Sequence, residues 1–147
     1  MKKITLFAGF LALFGLIVFA AACGSGTQPT AENPIQGKVI KSGSINNLTV
    51  TLSNDAGKFK TGEQEFFVAF TDASGKAVDA GAASLNFYMP AMGSMGAMND
   101  AATLTTTGTP GVYRAKAKIS MAGEWQALIA FEGAGGKGKT SIPVTAQ

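Results

Sequence analysis

Four methionines recur at a strict spacing of three in one short segment of the chain, at Met89, Met92, Met95 and Met98. Besides the initiator, the only other methionine is Met121. The thioether of methionine is a soft, uncharged ligand, and soft ligands of this kind select Cu(I) over hard cations. The segment therefore predicts a Cu(I) site in which two to four of these thioethers hold the ion.

The spacing of three also predicts a backbone conformation. Three residues is the period of the 3₁₀-helix and of polyproline II, and either form would place the four methionines on one face. Two other interpretations stay open. Methionine fills irregular gaps well, so some of the four could pack the end of the fold, or the segment could be an adaptable apolar contact for a partner. Met121 could add a distant ligand, although core packing explains it more simply.

The remaining side chains offer little for catalysis. The chain has no histidine, and Cys23 is its only cysteine. Asp72, Asp79 and Asp100 are scattered among turn sequences and lack the spacing of a calcium loop. A general acid–base pair or an activated nucleophile is therefore hard to assemble. We predict that the protein is not an enzyme.

Residues 133–140 read GAGGKGKT and satisfy the GxxxxGK[ST] pattern of a phosphate-binding loop. That loop needs a helix directly after it, because the first amides and the dipole of the helix meet the phosphate. Here residues 141–144 read SIPV, which predicts a strand. We therefore interpret the segment as a hairpin turn and expect no nucleotide partner.

The start of the chain has the pattern of an export signal. Lys2 and Lys3 precede an apolar run from residue 4 to residue 19, which ends in Ala-Ala-Ala-Cys at residues 20–23. This ending resembles a bacterial lipobox, in which a signal peptidase cleaves before a cysteine that becomes lipidated. Residues 1–22 are thus predicted to be a lipoprotein signal peptide and Cys23 the lipidation site. Plain secretion with cleavage nearby is the alternative.

The segment after this cysteine is predicted to be a flexible tether. Residues 23–37 are rich in Gly, Ser, Thr, Gln and Pro and show no apolar periodicity. Of the 12 basic side chains, Lys2 and Lys3 leave with the signal peptide, so the remainder nearly balance the 9 acidic ones. The remaining lysines form no basic stripe, and nucleic acid is not an expected partner. We expect an exported protein that is anchored to a bacterial membrane and faces the periplasm or the cell exterior.

Residues 38–147 are predicted to form one all-β domain, an immunoglobulin-like antiparallel β-sandwich of about seven strands. Short apolar alternations are separated there by turns that contain Gly, Asp or Asn. Residues 65–71 are apolar on both faces, which is typical of a central strand. Tyr113 and Trp125 alternate in phase with core positions and are expected to pack there.

An ordered set of these elements resembles the YtkA-like domain family. Residues 67–78 read FVAFTDASGKAV, residues 87–93 read FYMPAMG, residues 111–115 read GVYRA, and residues 123–126 read GEWQ. The resemblance implies a small immunoglobulin-like domain, exported or membrane-attached, of a kind often found near copper and heavy-metal handling proteins. A copper-handling protein or a membrane complex is accordingly the expected protein partner.

One departure from the family pattern narrows the choice of metal. Relatives commonly carry a histidine just after the Met-Pro-x-Met-Gly element, whereas this chain has Ser94 there. Because imidazole is the main protein ligand for Cu(II), any site here is expected to take Cu(I) or Ag(I). The alternative function is a metal-free interaction module of a cell-envelope complex. Exchange of methionine for leucine separates the two, since a contact surface should tolerate it and a copper site should not.

Overall fold

The computed structural model describes residues 33–134 and 136–147, and these residues form eight β-strands and no helix. The strands are β1 (Lys38–Ile45), β2 (Leu48–Asn54), β3 (Gly62–Thr71), β4 (Ala82–Met89), β5 (Met98–Thr106), β6 (Val112–Ile119), β7 (Gly123–Gly133) and β8 (Gly136–Ala146). The all-β prediction is confirmed. Within the described ranges no helix is long and apolar enough to cross a membrane. The predicted signal peptide and Cys23 lie outside the described residues.

The eight strands are all antiparallel and follow the order β1-β2-β3-β6-β5-β4-β7-β8. β5 belongs to both halves of the fold, because residues 98–102 pair with β4 and residues 103–106 pair with β6. On the other side β1 approaches β8, where the Asn46 side-chain amide donates a hydrogen bond to the Lys137 carbonyl at 2.9 Å. The sheet is thus nearly closed, consistent with the predicted β-sandwich.

Aromatic side chains fill the space between the two halves. Phe59, Phe66 and Phe87 meet edge to face, with ring centroids 5.1 to 5.9 Å apart. Tyr113 and Trp125 are both buried, so their predicted packing role is confirmed. β3 lies between β2 and β6, as its apolar sequence on both faces predicts. Edge-to-face contacts of this kind stabilise a core beyond the area that the rings bury.

The strand that the sequence pattern does not reveal is β1. It reads KVIKSGSI, and of its eight residues only Ile45 is fully buried. Val39 is 50% exposed, so the strand lacks the strict alternation by which the other strands are recognised. Its start at Lys38 coincides with the predicted end of the tether. The sandwich therefore has one strand more than the seven or so expected.

The connections divide between the two ends of the sandwich. Because β5 pairs antiparallel with β6, the start of β5 lies at the same end as the end of β6. The β4–β5 connection and the turn at residues 120–122 therefore share one end, and the turns at residues 72–77 and 107–111 lie at the other. The β7–β8 connection is a hairpin in which Gly133 pairs with Gly136. A strand and not a helix follows this connection, so the predicted hairpin turn is confirmed.

A buried phenol ties β6 to the start of β4. The Tyr113 hydroxyl donates a hydrogen bond to the Gly81 carbonyl at 2.6 Å. Burial raises the pKa of this phenol, and the nearby Asp79 carboxylate raises it further.

Tyr113→Phe is expected to lower the free energy of unfolding by about 1–2 kcal/mol, because the Gly81 carbonyl loses its donor. Urea denaturation measures this loss. Tyr88→Phe, at a half-buried position, is the control and should cost less than about 0.5 kcal/mol. Equal losses of stability in the two variants would contradict a stabilising role for the hydrogen bond between Tyr113 and Gly81.

Candidate metal centre

The four regularly spaced methionines lie in one β-hairpin. We call residues 89–98, which join β4 to β5, the methionine hairpin. Met89 and Met98 are direct partners at its base, and Met92 and Met95 are partners at its tip. At the tip the Met92 amide donates to the Met95 carbonyl at 3.1 Å, and the Met95 amide donates to the Met92 carbonyl at 2.9 Å. The segment therefore presents two methionine pairs, one above the other along the hairpin.

This geometry corrects the expectation of a 3₁₀ or polyproline II segment with all four side chains on one face. The chain reverses between Met92 and Met95 through a two-residue turn. Gly93 has a φ of 57° and Ser94 has a negative φ, the combination of a type II′ turn, which favours glycine at its first central position. β4 and β5 pair antiparallel, so the chain between them must reverse direction. A tight turn at Gly93 and Ser94 makes this reversal, and the segment is a hairpin instead of a continuous helix.

Burial separates the methionines into two groups. Met92 is 51% exposed and Met95 is 41% exposed, whereas Met89 is 1% exposed. Met98 and Met121 are half-buried and pack against the core. We call Met92 and Met95 the outer pair and Met89 and Met98 the inner pair. The inner pair packs the end of the sandwich, and the outer pair is open to a ligand.

The outer pair has a geometry suited to a soft ion. Residues directly opposite one another in an antiparallel pair project their side chains from the same face, with Cβ atoms about 5 Å apart. Methionine has three rotatable bonds beyond the backbone, so two such side chains can bring their sulfurs onto one ion. The hairpin itself carries no charged residue. Its uncharged thioethers therefore favour Cu(I) or Ag(I) over Mg²⁺ or Ca²⁺.

The base of the hairpin is held by the neighbouring turn at residues 120–122. Met89 packs on β7, where its Cε lies 3.0 Å from the position that a Cβ on Gly123 would take. The Trp125 indole donates to the Met121 carbonyl at 3.1 Å. Asp100 accepts two hydrogen bonds from Ser120, one from the amide and one from the hydroxyl, both at 2.8 Å to the same oxygen. The hydrogen bonds fix the turn and the start of β5, and Met89 packs beside them on Gly123.

Sequence patterns do not reveal the supporting role of Asp100. It is separated by 20 residues from Ser120, and nothing local to either residue links them. Their contact arises because the start of β5 and the end of β6 share one end of the sandwich. Gly123 belongs to a segment that resembles the family, but only the structure shows that its missing side chain makes room for Met89.

Acidic and cysteine clusters do not provide another centre in residues 33–134 and 136–147. No group of three or more Asp and Glu side chains there could hold a metal ion, and histidine is missing from the chain altogether. Of the acidic groups near the hairpin, Asp100 is already engaged with Ser120. The soft donors that face each other in pairs in this part of the chain are the thioethers of the methionine hairpin.

Comparison with known proteins agrees with the resemblance drawn from the sequence. A family model described as YtkA-like matches residues 43–130, which is more than half of the chain and includes the whole methionine hairpin. No curated protein and no solved structure matches the chain at a significant level.

Proposed function

We propose that this chain, which belongs to the YtkA-like family, is an exported, lipid-anchored protein that binds Cu(I) through its methionine hairpin and hands it on. The observation that carries the proposal is the outer pair. Met92 and Met95 stand directly opposite each other at the tip of the hairpin and are 51% and 41% exposed. Large apolar side chains so placed contribute little to folding, whereas two neighbouring thioethers suit a soft ion.

The four methionines take different roles in this proposal. Met92 and Met95 are the primary ligands because they are accessible. Met98 is half-buried at the start of β5, three residues after Met95, and is the candidate for a third thioether. Met89 supports the hairpin, since its 1% exposure means that an ion could reach its sulfur only after the core opens. The protein acts as a binding protein and not as an enzyme.

An exposed thioether site also suits transfer. Thioethers carry no proton to displace, so Cu(I) binding is nearly independent of pH, and the ion can leave by ligand exchange. The outer pair lies at the tip, where nothing lies within 4 Å of a Cβ position on Gly93 or Gly96. An acceptor with its own soft ligands can therefore approach the ion from several sides. The expected partner is a copper-handling protein of the cell envelope, with Cys23 holding the donor to the membrane.

The same exposure supports a second candidate, a metal-free interaction module of an envelope complex. Met92 and Met95 are two of four large hydrophobic side chains exposed in the described residues. Methionine is favoured on adaptable binding surfaces because its side chain is flexible and polarizable. In that case leucine at these positions would preserve the apolar contact.

A Cu(I) titration separates the two candidates. The full-length protein, purified in detergent, competes without oxygen for Cu(I) with a colorimetric chelator. The wild type is expected to take up about one ion per chain, and Met92→Leu/Met95→Leu is expected to bind at least about tenfold more weakly, because leucine keeps the apolar surface and removes both sulfurs. Met89→Leu is the matched control and should bind as the wild type does. Equal uptake by the wild type and the outer-pair variant would contradict the copper function.

A further inference from the structure

We propose that Met92 and Met95 are also a reversible oxidation site that switches off soft-metal binding, an inference that rests on the proposed function. The thioethers of the methionine hairpin differ in how far they are exposed to solvent. Those of the outer pair are about half exposed, while Met89 is sealed at 1% exposure. Oxidation of a thioether requires that the oxidant reach the sulfur, so its rate follows exposure. The outer pair is therefore the part of the hairpin that a dissolved peroxide attacks first.

The chemistry at each sulfur is an oxygen-atom transfer. A hydroperoxide gives one oxygen to the thioether, so an S–O bond forms while the O–O bond breaks, and the peroxide leaves as water or an alcohol. Sulfur loses two electrons and the peroxide gains them. A methionine sulfoxide reductase reverses the change, because two thiols become a disulfide and the oxygen leaves as water. The sulfoxide presents a hard oxygen in place of a soft sulfur lone pair, which disfavours Cu(I).

The hairpin can carry this modification without unfolding. The tip is held by the two backbone hydrogen bonds between Met92 and Met95, and neither bond involves a side chain. Around the turn, nothing lies within 4 Å of a Cβ position on Gly93 or Gly96, so there is room for an added oxygen. A sulfoxide on the outer pair therefore stays in contact with water.

Met89 of the inner pair is protected by the same architecture. Met89 is packed on Gly123, with its Cε 3.0 Å from the position of a Cβ there. A sulfoxide at Met89 would bury a polar oxygen without a partner, which is costly in a core. The fold thus separates a modifiable pair from a structural methionine by only three residues of sequence. Oxidation of the outer pair therefore alters the proposed ligands, while Met89 keeps its thioether in the core.

The test compares three samples of full-length protein in detergent. One is untreated, one is treated with hydrogen peroxide, and one is treated and then incubated with methionine sulfoxide reductases and a dithiol. Tandem mass spectrometry locates each sulfoxide, and circular dichroism follows the sheet. Ag(I) is the binding probe, because it is a soft closed-shell ion and does not cycle with peroxide.

Met92 and Met95 are expected to oxidise at least about tenfold faster than Met89 in the native protein, and at the same rate in denaturant. The doubly oxidised protein is expected to bind Ag(I) at least about tenfold more weakly, with an unchanged spectrum and with affinity restored by the reductases. Equal native rates at Met89 and Met92, or unchanged affinity after oxidation of both, would overturn the switch and leave the proposed function standing. If the untreated protein binds no Ag(I), the proposed function fails and the switch fails with it.

Discussion

Gly111→Ala is expected to lower the free energy of unfolding by about 3 kcal/mol or more, a large part of the stability of a small domain. Gly111 has a φ of 81°, a left-handed conformation that costs an alanine about 1–2 kcal/mol. A Cβ there would also collide with the Val78 carbonyl oxygen and lie 2.6 Å from the Val78 carbonyl carbon. Both of these atoms belong to the backbone, so the contact can be relieved only if one of the two segments moves.

Movement at this position would disturb the centre of the sheet. The Phe70 amide donates to the Gly111 carbonyl at 2.8 Å, and the Val78 amide donates to the Phe70 carbonyl at 2.9 Å. The end of β3, the segment that leads to β4 and the turn before β6 are therefore joined at one point. The cost arises from this close approach and not from the loss of any side-chain contact.

Gly75→Ala is the matched control for this prediction. Gly75 has nearly the same φ, 82°, but nothing lies within 4 Å of its Cβ position. The substitution is expected to cost only the backbone term, about 1–2 kcal/mol. Urea denaturation of both variants measures the difference, which is the energy of the contact with Val78. Equal losses in the two variants would show that the approach of Val78 to Gly111 has no energetic importance.

The sequence could predict those strands in which apolar and polar residues alternate strictly. β6 reads VYRAKAKI and alternates buried with exposed residues from Tyr113 onward, so its strand and its inward face follow from period two. β1 shows no such alternation, because it is mostly exposed and is held in place by pairing with its neighbour β2. Near-closure of the sheet likewise depends on contacts such as that between Asn46 and Lys137, which are 91 residues apart.

The geometry of the candidate site, like the near-closure of the sheet, could not be predicted from the sequence. The soft-metal prediction for this segment rests on residue chemistry, because thioethers are soft ligands. Spacing alone could not choose its geometry, since a period of three fits a helix and is also compatible with a hairpin. The hairpin conformation is determined by the pairing of Met89 with Met98 and by the positive φ of Gly93 at the turn. Division into an outer and an inner pair follows from that register, which is set by β7 and β6 as much as by the hairpin.

Met89→Ala is expected to lower the free energy of unfolding by about 3 kcal/mol, whereas Met92→Ala is expected to change it by less than about 0.5 kcal/mol. Met89 is among the largest fully buried side chains of the domain, and its removal leaves a cavity beside Gly123. Met92 is 51% exposed and leaves none. Urea denaturation of the metal-free protein measures both values. Equal losses would contradict the assignment of Met89 to the core.

The same two variants are expected to give opposite results when Cu(I) uptake is measured at a temperature where both are folded. Met92→Ala should lose uptake because one of the two proposed ligands is gone, while Met89→Ala should retain it because the outer pair is intact. The proposed function thus predicts that stability and binding separate along one hairpin, with Met89 responsible for stability and the outer pair for binding. If Met89→Ala instead loses uptake while still folded, the ion must reach the core side of the hairpin, and the copper site includes the buried sulfur.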